Sequence, residues 1–467
     1  MNIKKMTKMA FAASLLMSSA AVAGVLDNAW IKCDTDKKNP LTYKVGEEMV
    51  FTLSPMDLDG PVPEGEYQLW FRRSDDFGNY EEKKFPFDGK PLVYKTSIGR
   101  PGFVRIEAYV VDKAGKRVTK KFTGDASTPE GRKAMNKFEK AKKEIFFDGG
   151  AGADVDKLVP PEEPKDFDAF WEKQFERLKK APIKVLEKVE VEQKHPHVRT
   201  YAISIACVDG VRPVTGYLSV PKAVYSGKKF PVRLETHGYG ASSVHMPPIW
   251  GSESEIRLNI NAHGMKLPAF GATEADFEAF KKSIKSNGKS YAFDPEQNKN
   301  PETAYFYGMV MRVKRGLQYL KSLDGWNGKD VRASGGSQGG LQTIWAAGCG
   351  EGVTQASSDI TWCCDMATYN DRIAKKASSA GWYIPWVPAL GYYDAAIWAK
   401  RIPTTCRTNI TRAGLGDYTC PPMGLAKMYN NIPGENKSIK WIQGSEHGYV
   451  PPEYKGRDTV REGADWK

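Results

Sequence analysis

The seven cysteines of this 467-residue sequence include no C-x-x-C pair, and the chain carries no arginine-dense patch and no low-complexity tract. The missing cysteine pairs argue against zinc ribbons and thiol redox chemistry. Lys and Arg are scattered, at a formal net charge of +12, so they read as solvated faces and no nucleic-acid partner is expected. An odd number of cysteines leaves at least one thiol unpaired, and most of them lie in apolar runs where a buried free thiol is the ordinary outcome. No apolar run is long enough to span a bilayer, which excludes a membrane-anchor helix.

What the chain does have at its start is Lys4, Lys5 and Lys8 ahead of a short apolar run ending on Ala21-Val22-Ala23. A basic head, an apolar middle and small residues before a cut are the features of an export signal. Residues 1–23 are therefore expected to be a signal peptide, with the mature chain starting at Gly24 and residing in the periplasm or outside the cell.

The length exceeds one ordinary core, so two folded units are expected. From 24 to 125, apolar residues alternate at Met49, Phe51 and Leu53, at Tyr67, Leu69 and Phe71, and at Val104, Ile106, Ala108 and Val110, with turn signals between the runs. That pattern predicts a small all-β sandwich of immunoglobulin type. Residues 126–154 read as a linker with one short helix after Thr128-Pro129. Its Asp148, like the nearby Asp154 and Asp156, lacks the spacing of a calcium loop. From 155 to 467 strands alternate with helices, which predicts an α/β domain with a mostly parallel sheet. An antiparallel hairpin over "VRTYAISIACVDGVRPVTGYLSVP" leads into six core strands, each ending in a loop.

Within the third of these strand-loop units, "ASGGSQGG" packs four glycines around Ser337. A strand before it and the helical "GLQTIWAAG" after it make Gly335-x-Ser337-x-Gly339 a strand–turn–helix elbow. The bend holds the serine in a strained backbone region, and Gly335 and Gly339 must be small to let neighbouring chain approach. Ser337 then stands at a helix N-terminus, where free N–H groups favour developing negative charge.

A serine hydroxyl needs a base, and a histidine that turns cationic needs an anion to orient it. Of six histidines only His447 follows Ser337, at the end of the last core strand. Asp417 ends the preceding strand, where the orienting acid of a Ser, acid, His order belongs; Asp359, Asp365 and Asp394 compete with it. Main-chain donors for an oxyanion are expected at Gln338, just after the serine, and at Tyr239 in "THGYGAS". His237 in that loop reads as a structural hydrogen-bonder. Among the aromatics of "SSAGWYIPWVPALGYYD", Trp386 is the candidate for contact with a sugar ring, against packing as the ordinary role. No metal or organic cofactor is required.

Taken together, "DFDAFW", "HGYG", "GGSQGG", "YYDAAIWAKRI", "GLGDYTCPP" and "EHG" resemble the family 7 carbohydrate esterases, from about residue 155 to the end. These are the acetyl xylan esterase and cephalosporin C deacetylase group of α/β hydrolases. The resemblance implies Ser337 as nucleophile, Asp417 as acid, His447 as base and Tyr239 and Gln338 as oxyanion donors. It further implies a homo-oligomer and an acetylated oligosaccharide or polysaccharide as the substrate partner. Three features depart from the family pattern: Asn261-Ala262-His263-Gly264 replaces an Arg-Gly-Gln, Gly448 follows the histidine in place of Glu, and "YGMVMRVKRGLQYL" lacks an acidic residue. The rival expectations are another serine hydrolase, such as a short-chain lipase or peptidase, and a non-catalytic glycan-binding protein on a hydrolase fold.

Overall fold

Period-two alternation becomes two antiparallel sheets in the first part of the chain. The protein is described here by a computed structural model covering residues 24–248, 251–370, 373, 375 and 382–454; the expected export signal lies outside the described residues. The first seven strands are β1 (Trp30–Thr35), β2 (Met49–Met56), β3 (Tyr67–Asp75), β4 (Tyr80–Pro86), β5 (Leu92–Thr96), β6 (Gly102–Asp112) and β7 (Phe146–Ala153). One sheet has the order β1-β2-β5 and the other β4-β3-β6-β7. Phe51, Phe71 and Ile106 are fully buried in the core that both sheets share. The rings of Phe71 on β3 and Tyr94 on β5 meet across it at 4.5 Å.

The expected linker 126–154 is where sequence and structure differ most. It holds helix α1 (Pro129–Glu139), capped by the Thr128 side chain, and then β7, every residue of which is buried. The glycines of β7 serve close packing. A Cβ at Gly150 would stand 2.0 Å from the Val104 carbonyl oxygen, and one at Gly149 would stand 2.3 Å from Gln443 Oε1. Those distances forbid any side chain, so a stretch that reads as flexible is a docked strand. Asp148 and Asp154 are occupied in the same way: Arg105 pairs with Asp148 at 2.5 Å, and Asp154 accepts from the Val45 N–H at 3.0 Å.

The second unit opens with helix α2 (Phe167–Lys180), which buries Phe167, Trp171 and Leu178. Its strands are β8 (Val185–Val191), β9 (Val198–Ile205), β10 (Val214–Pro221), β11 (Phe230–Thr236), β12 (Ile256–Asn261), β13 (Trp326–Gly336), β14 (Gln355–Asp359), β15 (Arg407–Gly414) and β16 (Lys437–Ile442). They form one sheet in the order β16-β15-β14-β13-β11-β12-β10-β9-β8. From β12 through β11 to β16 every pairing is parallel, whereas β8, β9 and β10 pair antiparallel. The hairpin and the six core strands expected from the sequence are all present. β8 was not anticipated; its "VLEKVEV" is mostly exposed, and Lys and Glu on an edge strand discourage pairing with another chain.

Helices α3 (Glu274–Ser283), α4 (Pro295–Asn298), α5 (Tyr305–Lys321) and α6 (Gln338–Gly348) follow in the second unit. In α6, Leu341, Ile344 and Trp345 are wholly buried, because the helix that begins at the elbow runs back through the centre of the core. All seven cysteines are free and six are buried, as their apolar surroundings lead one to expect.

The two units meet along β6 and β7. Phe103 on β6 packs on Trp441 of β16 at 5.7 Å, and the Arg105 guanidinium lies 4.1 Å over the Tyr418 ring. A Cβ at Gly416 would stand 2.1 Å from the Asp148 carbonyl oxygen, whereas one at Gly448 would meet nothing within 4 Å. Gly416→Ala is therefore expected to lower unfolding free energy by about 1–3 kcal/mol through overpacking, with Gly448→Ala close to neutral. Urea midpoints measure both, and equal midpoints for the two variants would contradict the tight seam.

Candidate active site

Strand β13 ends at Gly336, and Ser337 turns the chain with φ 56° and ψ −119° before α6 starts at Gln338. A positive φ at a non-glycine residue is strained and persists only when the surroundings impose it. Here the Ser337 N–H donates to the Asp359 carbonyl at 2.9 Å, while its carbonyl accepts from the N–H groups of Trp362 and Leu341, both at 3.1 Å. A Cβ at Gly335 would stand 2.3 Å from Thr236 Oγ1, and one at Gly339 would stand 2.7 Å from the Thr236 carbonyl oxygen. Both glycines are thus demanded by the approach of β11, as the elbow reading expects.

The loops after β15 and β16 bring Asp417 and His447 together, with His447 Nδ1 2.9 Å from Asp417 Oδ2. The Asp417 carboxylate is fully buried, and its other oxygen accepts from the N–H groups of Thr419 and Cys420 at 3.0 Å each. Three bonds fix the carboxylate, so the ring it holds has one orientation. Pairing through Nδ1 leaves Nε2 as the nitrogen available to a hydroxyl. No hydrogen bond joins Ser337 Oγ to His447 among the described residues. The competing acids have other work: Asp359 binds Arg412 at 2.9 Å, Asp365 pairs with Lys427 at 2.5 Å, and Asp394 accepts three backbone N–H groups.

The loop after β11 faces the elbow. A Cβ at Gly238 would stand 4.0 Å from Ser337 Cβ, so the loop that carries Tyr239 passes beside the serine. This loop is heavily braced. His237 Nε2 accepts from the Ala262 N–H at 2.9 Å, so the ring proton is on Nδ1 and is donated to the Gly238 carbonyl at 2.7 Å. Burial pushes that imidazole down to about 4. Asn261 donates to the carbonyls of Ala241 and Ser243 and accepts from the N–H groups of His263 and Met265. His263 completes the set with Nε2 3.3 Å from the Gly240 carbonyl and Nδ1 2.8 Å from the Tyr305 hydroxyl. The Asn-Ala-His-Gly segment that departs from the family pattern is thus a neutral polar brace for the loop that carries Tyr239.

Sequence reasoning missed Tyr291. Its hydroxyl accepts from the Gly240 N–H at 2.8 Å and donates to Gln338 Oε1 at 2.8 Å, tying the Tyr239 loop to the elbow. Its ring stacks on Tyr239 at 4.1 Å. A lone tyrosine in a loop carries no local signal for such a role. Trp386 packs against the core of the second unit beside Gly391, whereas Trp382 is 43% exposed and stands edge-on to Tyr239 at 5.3 Å.

Asp417, Cys420 and His447 also form the one trio of possible metal donors among the described residues, within 4.8 Å of one another. Burial raises the Cys420 thiol well above its usual range, and Asp417 is already held by two backbone donors and the imidazole. The set has the chemistry of an acid–imidazole pair.

The β7 seam reaches this pair from behind. Lys142 binds both carboxylate oxygens of Glu446, the residue before His447, at 2.6 and 2.5 Å. Burial, with Asp148 nearby, pushes the Glu446 carboxyl up to about 7 against the pull of Lys142. Phe146 packs on Tyr449 at 4.8 Å, and the Gln443 side chain exchanges two hydrogen bonds with the Gly150 backbone at 2.9 and 2.8 Å.

Residues 159–379 match the model of the acetyl xylan esterase (AXE1) family. This segment contains Tyr239, Ser337 and Gln338 and ends before Asp417 and His447. The acetyl esterase Axe7A of Xylanibacter ruminicola is 28% identical over 290 residues, 59% of this chain and 62% of that protein; the chain thus spans less than two thirds of its relative's length. Acetyl xylan esterase 1 from Thermoanaerobacterium sp. JW/SL YS485 superposes with a TM-score of 0.50 at 18% identity, over 64% of this chain and 94% of the other, and shows the shared α/β-hydrolase fold. An acetyl xylan esterase from Paenibacillus sp. R4 gives a TM-score of 0.49 at 20% identity over the same shares. The resemblance read from the sequence motifs is therefore met by the comparisons.

The His237 geometry has a direct check. Its ring is expected to stay neutral, as the Nδ1–H tautomer, down to about pH 5, and histidine NMR signals report this. Titration of His237 near 6.5 would contradict the brace.

Proposed function

We propose that the chain is an exported serine esterase that removes acetyl groups from carbohydrate, with an immunoglobulin-like sandwich joined to an α/β-hydrolase domain. The observation that carries this reading is the strained Ser337 at the C-terminal edge of the same sheet whose next loops pair Asp417 with His447 at 2.9 Å. The family match supports an ester substrate, and the names of the similar proteins support acetyl on xylan or its oligosaccharides. Export rests on the leader-like first 23 residues.

Ser337 Oγ attacks the acetyl carbonyl carbon while His447 Nε2 takes the hydroxyl proton. Asp417 keeps the imidazole in the Nδ1–H tautomer and stabilises the imidazolium. The Tyr239 and Gln338 N–H groups hold the oxyanion, and the Tyr291 hydroxyl keeps their two loops in register. Collapse of the tetrahedral intermediate breaks the bond to the sugar oxygen, which leaves with the proton from His447. Water then attacks the acetyl-enzyme by the same route, and acetate departs. Trp382, beside Tyr239, is placed to cover an apolar sugar face. The sandwich contributes by setting the position of the loop that bears His447.

In p-nitrophenyl ester assays, acetate is expected to be hydrolysed faster than butyrate, and butyrate faster than octanoate. Ser337→Ala should abolish turnover, and Asp417→Asn should lower kcat by roughly 10⁴-fold through loss of the tautomer. Acetate should be released from acetylated xylo-oligosaccharides. Preference for octanoate would favour a lipase, and glycan binding without serine-dependent turnover would favour a binding protein.

A further inference from the structure

The start of α5, the loop before it and the β9–β10 turn enclose a cavity of about 330 Å³ that the esterase reading does not use. Arg212, Gln297, Glu302, Tyr305, Gly308 and Arg312 are among the residues that line it. Arg312 is only 3% exposed, yet its Nε and Nη2 both donate to a single acceptor, the Ala262 carbonyl, at 2.9 and 2.6 Å. A guanidinium carries five N–H donors, so three remain, two of them on its Nη1–Nη2 edge.

That edge faces no carboxylate among the described residues. The groups that act on Arg312 are the Tyr305 hydroxyl, the Cys207 thiol and the like-charged Arg212, and burial brings its pKa down to about 10. Glu302, which also lines the cavity, accepts instead from Lys173 at 3.2 Å and Gln174 at 3.0 Å. Gly308, one turn ahead on α5, lacks the Cβ that would stand 3.2 Å from Arg312 Nη1, and so leaves that nitrogen uncovered. A buried charge is ordinarily paired, because desolvation without a partner is costly. Here two cations border a cavity, and the planar edge of one is open in the geometry that takes two oxygens of one anion.

We propose that this cavity binds a small oxyanion, a carboxylate or a phosphate group, on the Nη1–Nη2 edge of Arg312, with Arg212 as the second cation at its mouth. The site stands whether or not Ser337 is a nucleophile. Tyr305, which lines the cavity, also holds His263 Nδ1 at 2.8 Å, so an occupied site adjoins the brace of the Tyr239 loop.

Isothermal titration of the full chain with D-glucuronate and with inorganic phosphate, at ionic strength matched by sodium chloride, tests this. Saturable binding of either is expected, and which of the two binds identifies the anion's chemical source. Arg312→Lys, which keeps the charge and removes the edge, should weaken binding at least tenfold. Arg212 is exposed, so Arg212→Gln should fold normally and weaken binding several-fold; it decides the matter if the Arg312 variant does not fold. No binding of either anion, or affinity unchanged in the folded variants, overturns the proposal.

Discussion

The backbone of β7 lies so close to the loops after β15 and β16 that no side chain fits between them, and the arrangement of the candidate site depends on this contact. Gly149, Gly150 and Gly416 are glycines because Gln443 and the carbonyls of Val104 and Asp148 occupy the space a Cβ would need. Gln443 is buried and would be costly without partners; the Gly150 backbone supplies both a donor and an acceptor. The seam is therefore polar and specific in register as well as apolar. A one-residue slip of β7 would break the amide exchange, put a side chain where only glycine fits, and move Asp148 away from Arg105.

From that seam the geometry propagates over a few residues. Gln443 and Glu446 flank the turn that carries His447, while Gly416 and Tyr418 flank Asp417, and all four contact β6, β7 or Lys142. The acid and the imidazole sit on separate loops, so their 2.9 Å contact requires both loops to be held. On the far side of Ser337 the holding is done within the hydrolase unit, by His237, Asn261, His263 and Tyr291. Buried imidazoles that stay neutral suit that task, since they brace backbone without placing an unpaired positive charge in the core.

What could be read in the sequence follows from how local each signal is. The elbow at Ser337 announces itself because a strand, a glycine turn and a helix are contiguous, and the parallel strands because each is an apolar run ending in a loop. Asp417 and His447 were paired in the sequence by order and strand-end position, and the α/β topology brings their side chains to 2.9 Å. β7 was hidden because glycine-rich sequence looks like linker until what it packs against is seen, and Gln443 is 293 residues from Gly150. Tyr291 was hidden because its partners, Gly240 and Gln338, lie about 50 residues away on either side and a lone tyrosine carries no local signal.

In the proposed function, the sandwich is part of the working geometry through Lys142 and Glu446. A double-mutant cycle on kcat for acetate ester hydrolysis, with Lys142→Met, Glu446→Gln and the pair, tests it most directly. Each single change is expected to lower kcat with KM little altered, and the double variant to be no worse than the poorer single one. Full kcat in all three folded variants would contradict it.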